Sequence, residues 1–248
     1  MNIVVCISSV PDTTAKINFT DNSSKFDSAG VQFVINPYDE FGLTKAIMLK
    51  EKIGGKVIVI TVGEATVEPV IRKALAIGAD EAIRINITPK DSYSTAILIA
   101  NYLNENPADI IITGKESSDY NGGAVGGMLA EMLEIPFINA CNGLEVNGTA
   151  AKINREIDGG IESISAELPI VIGGQKGLVE ESELRIPNMR GIMQARTKPL
   201  NVIEPSNHVN LTDSITFEKP AEKGACKLVS SDNVAELVSL LQNEAKVI

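Results

Sequence analysis

The sequence predicts an α/β fold: a mostly parallel sheet with helices on both faces, an antiparallel hairpin extension and a C-terminal arm. Three observations carry that expectation. Up to about residue 140, short β-branched runs alternate with helical stretches, the pattern of a parallel sheet buried on both sides. After residue 136 the segments alternate polar and apolar residues around Asn147-Gly148 and Asp158-Gly159-Gly160, both hairpin signals. The closing "DNVAELVSLLQNEAKVI" sets Val234, Leu237, Leu240 and Leu241 on one side of a helix,.

"IVVCIS" (3–8) reads as a buried strand. "PYDEFGLTKAIMLKEK" (37–52) reads as a helix opened by Pro37 and two acids and stopped by Gly54-Gly55,. "VIVITVG" (57–63) is the next strand, and "VEPVIRKALAIGA" (67–79) a helix closed by Gly78. A strand at 81–87, a helix near 93–105 and a strand at 108–113 continue the alternation. From about residue 177 the chain turns polar and irregular. A loop of that length in a compact domain implies contact with a partner.

Composition excludes several classes of function. The chain has 22 basic and 32 acidic residues, a formal charge of −10, and no basic run, so it lacks the cations a nucleic-acid surface needs. It has no Trp, four Tyr and six Phe, too few for stacking single strands,. No run of 18 apolar residues is present, so no membrane insertion is expected. "MNIVVCISSVPD" has no basic n-region, and a cytoplasmic protein is expected. Cys6, Cys141 and Cys226 read as reduced core thiols. The single His208 reads as a surface residue, and neither a metal site nor a Ser-His-Asp triad is expected,.

The chemistry-bearing stretch is "TGKESSDYNGGAVGG" (113–127), between the strand "ADIIIT" and the helix-like "MLAEML". Backbone N–H groups at a glycine-rich turn and a helix N-terminus bind phosphate without a cationic side chain. Gly122 and Gly123 are expected to take positive φ, and Gly126 and Gly127 to allow close approach,. No G-x-x-x-x-G-K-[ST] is present, and Ala124 occupies the second glycine of a G-x-G-x-x-G. A P-loop NTPase and an ordinary dinucleotide-binding dehydrogenase are therefore disfavoured. Other strand ends, at Cys6-Ile7-Ser8, Asn36-Pro37 and Thr61-Val62-Gly63, should share the ligand,. On residues alone this is a nucleotide-binding α/β domain without a base, nucleophile or metal cluster. A stand-alone nucleotide-sensing module, and an adenylating enzyme with Lys115 as its cation, stay open as alternatives.

"INREIDGGIESISAELPIVIGG" (153–174) resembles the signature segment of electron transfer flavoprotein β subunits. "VVCISSVPDT", "INPYDEFGL", "VGEATVEPVIRKALAIGAD", the glycine loop and "PNMRGIMQARTKPL" are similar to further family landmarks, in family order. The resemblance covers essentially the whole chain. It implies a Rossmann-like, adenine nucleotide α-hydrolase-like fold. It also implies a heterodimer with an α subunit that holds a redox-active FAD, serving flavin dehydrogenases and a downstream electron acceptor. The β subunit carries AMP in simple carriers and a second FAD in the electron-bifurcating branch.

Carried over by position, the cofactor-binding residues are Cys6, Ser8, Asn36, Val62, Gly63, Asp119, Asn121, Gly122, Gly123, Ala124, Val125, Gly126 and Gly127. Thr13, Arg155 and Glu156 fall at the contact with the flavin domain, and Met189 at the partner-recognition anchor. The implied division is a nucleotide-binding domain over 1–200, with the recognition loop at about 183–196, and an arm over 201–248 that wraps the α subunit. Asn121 to Gly127 matches neither the simple nor the bifurcating loop pattern, so AMP and a second FAD both stay open. The family implies a carrier without catalysis of its own.

Overall fold

A computed structural model describes residues 1–222 and 224–248. Strand β1 (Asn2–Cys6) opens the chain. Two small ribbons follow: β2 (Ser9–Pro11) pairs with β5 (Phe33–Ile35), and β3 (Phe19–Thr20) with β4 (Lys25–Phe26). At two or three residues each, these strands are too short to show as hydrophobic periodicity.

Helix α1 (Pro37–Ile53) then leads to β6 (Lys56–Val62), α2 (Glu68–Ile77), β7 (Glu81–Ile85), α3 (Ser92–Glu105), β8 (Ile110–Gly114) and α4 (Val125–Met132). Helices α1 and α3 begin where the sequence supplies a start signal. Pro37 occupies the first turn of α1 with Asp39 and Glu40, where a missing N–H costs nothing and acids favour the helix dipole. At α3, Asp91 accepts from Ser94 N while Ser94 reaches back, a complete capping box,.

The second half adds β9 (Phe137–Asn147), β10 (Ala150–Ile157), β11 (Gly160–Glu167) and β12 (Ile170–Gly174). Gly148 (φ +62°) and Gly159 (φ +83°) make the two expected hairpin turns,. A short α5 (Met189–Ala195), strand β13 (Leu200–Ile203) and α6 (Val234–Leu240) complete the chain.

One nine-stranded sheet, β11-β10-β9-β12-β8-β1-β6-β7-β13, forms the frame. From β9 to β13 every neighbouring pair is parallel; β9, β10 and β11 form the antiparallel extension. Alternation along β1 puts Ile3 and Val5 in a core under α1 and α2, and Val4 and Cys6 in a second core under α3 and α4,. The helices therefore cover both faces, as expected.

Several details differ from the sequence reading. The polar stretch after residue 177 contains α5, held on α2 by Arg72, whose Nη1 donates to Ala195 O (2.7 Å) and Lys198 O (2.9 Å). Lys198 Nζ in turn caps the end of α2 by donating to Leu75 O and Ala79 O,. The sheet holds the chain through Ile203, so the expected boundary at 200/201 falls inside β13. Cys6 and Cys141 are buried, and burial pushes the Cys141 thiol up to about 12. Cys226 is exposed and is no core thiol. His208 is half-exposed, as a surface residue should be.

Candidate functional site

Strand β1 lies between β6 and β8, and the connections from it build outward in both directions. The crossovers through α1 and α2 lie on one face, and that through α3 lies on the other. The gap between β1 and β8 is thus the topological switch point, where a crevice opens beyond the carboxyl ends of the strands. The structure has a cavity of about 570 Å³ there. Ile7, Ile60, Val62 and Ile99 give it an apolar floor, and Ser8 and Ser9 place hydroxyls beside it. Lys90 and Lys115 also line it, as do Glu64, Glu116 and Asp119.

Of the expected ligand residues, Ser8, Val62, Gly63, Asp119 and the run Gly122–Gly126 line this cavity. They come from two strand ends, those of β1 and β6, and from the loop after β8, and the fold brings them together. The loop runs into α4, whose N-terminus no side chain caps. The first amides of such a helix lack intrahelical acceptors and carry partial positive charge. This end of the cavity therefore favours an anion, and its floor is apolar.

The glycines divide the work differently from expectation. Positive φ falls on Asn121 (+52°) and Gly123 (+58°), not on Gly122. Ala124 has φ −104°, so no glycine is needed there. A Cβ on Gly126 would lie 2.7 Å from Thr113 Oγ1 and 2.8 Å from a Phe137 ring carbon. Gly126 therefore lets α4 pack tightly on the sheet, while a Cβ on Gly127 would meet only ordinary contacts.

Cys6, Asn36, Asn121 and Gly127 are not in the wall. Cys6 packs under the site in the α3/α4 core, and burial, followed by the nearby Asp39 carboxylate, pushes its thiol well above the usual range. Asn36 is buried and acts as a tie. Its Nδ2 donates to Asp39 Oδ1 (3.0 Å) and Glu116 O (2.9 Å), and its Oδ1 accepts from Ser118 N (3.1 Å). It thereby fixes the entry of the glycine loop.

Sequence reasoning missed Asp39, which it read only as an acid near a helix start. The carboxylate turns inward, and its Oδ2 accepts from Ser8 N (2.7 Å). Desolvation raises its pKa to about 7, against the hydrogen bonds from Ser8, Asn36 and Gly114. A Cβ on Gly114 would stand 2.3 Å from Asp39 Oδ1. The knot of Ser8, Asn36, Asp39 and Gly114 thus locks the ends of β1 and β8 to the start of α1.

The sequence pattern described as "Electron transfer flavoprotein domain" matches residues 24–208. The chain belongs to the electron transfer flavoprotein β-subunit family. It is 38% identical to the "Electron transfer flavoprotein subunit beta" of Bacillus subtilis over 100% of both chains. It is 32% identical to that of Syntrophomonas wolfei, over 100% of this chain and 98% of the relative. It is 29% identical to the human subunit, over 100% and 99%.

The remaining family positions lie away from the cavity. Arg155 and Glu156 do not pair with each other. Arg155 Nε donates to Glu162 Oε2 (2.6 Å) across β10 and β11, and Glu156 Oε2 accepts from Gln175 Nε2 (2.6 Å). Thr13 is exposed in the turn after β2. Met189 opens α5 and is 76% exposed, with Ile186 and Met193 exposed nearby in sequence. Among the described residues no cluster of three or more His, Cys, Asp or Glu could hold a metal, and no helix is long and apolar enough to cross a membrane.

Proposed function

We propose that this flavoprotein-family chain is the β subunit of a heterodimer that carries electrons in the cytoplasm from flavin dehydrogenases to a downstream acceptor. The observation that carries the reading is the cavity at the switch point of a chain matched along its length by β subunits. AMP is the proposed occupant, with its phosphate on the amides at the start of α4 and its base over Ile7, Ile60, Val62 and Ile99.

The AMP has no redox chemistry; it stabilises the folded domain by binding the native state alone. The FAD of the α subunit supplies the electron chemistry. This chain's part is to shield that flavin through the region of Thr13, Arg155 and Glu156, and to present Met189 to dehydrogenases from a helix clamped by Arg72. The polypeptide is proposed to be non-catalytic by itself, and the arm beyond Lys219 to wrap the α subunit.

The test is to purify the chain with its partner, denature the complex and quantify the released nucleotides. One FAD and one AMP per heterodimer supports the reading. Two FADs without AMP would place a flavin in this subunit, and no partner with no flavin would overturn the proposal.

A further inference from the structure

We propose that residues 206–219 of the arm form a strap that completes the nucleotide site, fastened by the Asp91 carboxylate; this rests on the nucleotide reading above. The family positions carried over from sequence include nothing beyond Met189, yet Thr212 and Ser214 line the cavity. They add two hydroxyls from the arm to a site otherwise lined by strand ends, the glycine loop, residues 64–67 and the start of α3.

Three separate attachments hold the strap across the site. Before the cavity, Asn101 Nδ2 donates to Ser206 Oγ (2.8 Å). At the cavity, the amides of Leu211 and Thr212 both donate to Asp91 Oδ2, at 2.6 and 2.8 Å. Past it, Phe217 stacks on Phe19 with ring centroids 5.1 Å apart, and Phe217 N donates to Ser23 O (2.7 Å). The strap therefore runs from α3, over Asp91, to the β3–β4 ribbon.

Asp91 serves two ends with two oxygens. Oδ1 caps α3 by accepting from Ser94 N (2.7 Å), and Oδ2 takes both strap amides. Burial works to raise the carboxyl's pKa, but the bonds from Ser94, Thr212 and Leu211 outweigh it and hold the group well below the usual range. The strap amides thus meet a carboxylate at neutral pH, and charge-assisted bonds of this kind are stronger than neutral ones. A nucleotide in the cavity cannot leave past Thr212 and Ser214 without disturbing this fastening. Occupancy of the cavity and seating of the strap are accordingly linked, each favouring the other.

The test uses the full chain with its partner subunit and AMP as the probe. Labelled AMP is bound, an excess of unlabelled AMP is added, and release is followed. Asp91→Asn keeps an oxygen for Ser94 N and an N-cap of equal quality, but replaces Oδ2 with a donor that cannot accept the strap amides. Ser94→Ala removes the reciprocal capping bond and leaves the strap in place. The expected result is release at least tenfold faster in Asp91→Asn, because a single charge-assisted bond at about 1.5 kcal/mol already corresponds to tenfold, with Ser94→Ala at the wild-type rate. Hydrogen exchange at Leu211 and Thr212 should rise in the same variant. Equal release from wild type and Asp91→Asn would overturn the strap alone. A wild-type complex that neither retains nor binds AMP would overturn the nucleotide reading and the strap together.

Discussion

Asn36→Ala tests whether the glycine loop is positioned from below. The side chain makes three hydrogen bonds and touches no ligand in the proposed site. It makes no capping bond to α1, so no helix-cap loss is confounded with the result. Its bond to Asp39 is buried, and removing the donor leaves a buried carboxyl oxygen short of a partner, at a cost of about 2 kcal/mol. The bonds to Glu116 O and Ser118 N are only part-buried. Water can replace much of these, and together they add about 1 kcal/mol. The expected destabilisation is about 3 kcal/mol, read from urea denaturation of the chain by circular dichroism. The same variant should lose AMP on gel filtration, because the entry of the phosphate loop is no longer fixed. A loss below about 1 kcal/mol with AMP retained would refute the claim that Asn36 organises the site.

Two further predictions follow from side chains at opposite extremes of burial. Met189→Ala should leave stability within about 0.5 kcal/mol of wild type, since the side chain is largely exposed,. It should weaken electron transfer from a dehydrogenase without changing the flavin spectrum; loss of flavin in this variant would count against a docking role. Asp39 holds its proton up to about pH 7 in the folded chain, whereas an unfolded aspartate releases it near pH ~4. Between those values the folded state binds more protons. Its contribution therefore makes stability fall as pH rises from about 4 to about 7, and levels off above. Asp39→Asn should flatten that part of the urea-midpoint profile; an unchanged slope would show that Asp39 ionises normally.

The fold class, the order of parallel strands and helices, and the position of the glycine loop were legible in the chain because each rests on local physics. Buried parallel strands need continuous apolar runs, as in "VIVITVG" and "ADIIIT",. Hairpins need residues that accept positive φ, as at Gly148 and Gly159,. The capping box at Asp91 is equally local, four consecutive residues, but the start of that helix was expected only near residue 93,.

What the tertiary structure alone decided is where polar side chains spend their hydrogen bonds. Asn36 and Asp39 reach Glu116, Ser118 and Ser8 across distant parts of the chain. Asp91 meets amides 120 and 121 residues away, and Arg72 meets carbonyls 123 and 126 residues away. No periodicity encodes such partners, because a carboxylate or an amide is satisfied equally well by water or by any donor of the right geometry. Only the packed sheet brings these chain segments together and excludes water from some of the contacts. That packing turned an acid at a helix start into a tie between β1, β8 and α1, and a helix cap into a partner for the arm.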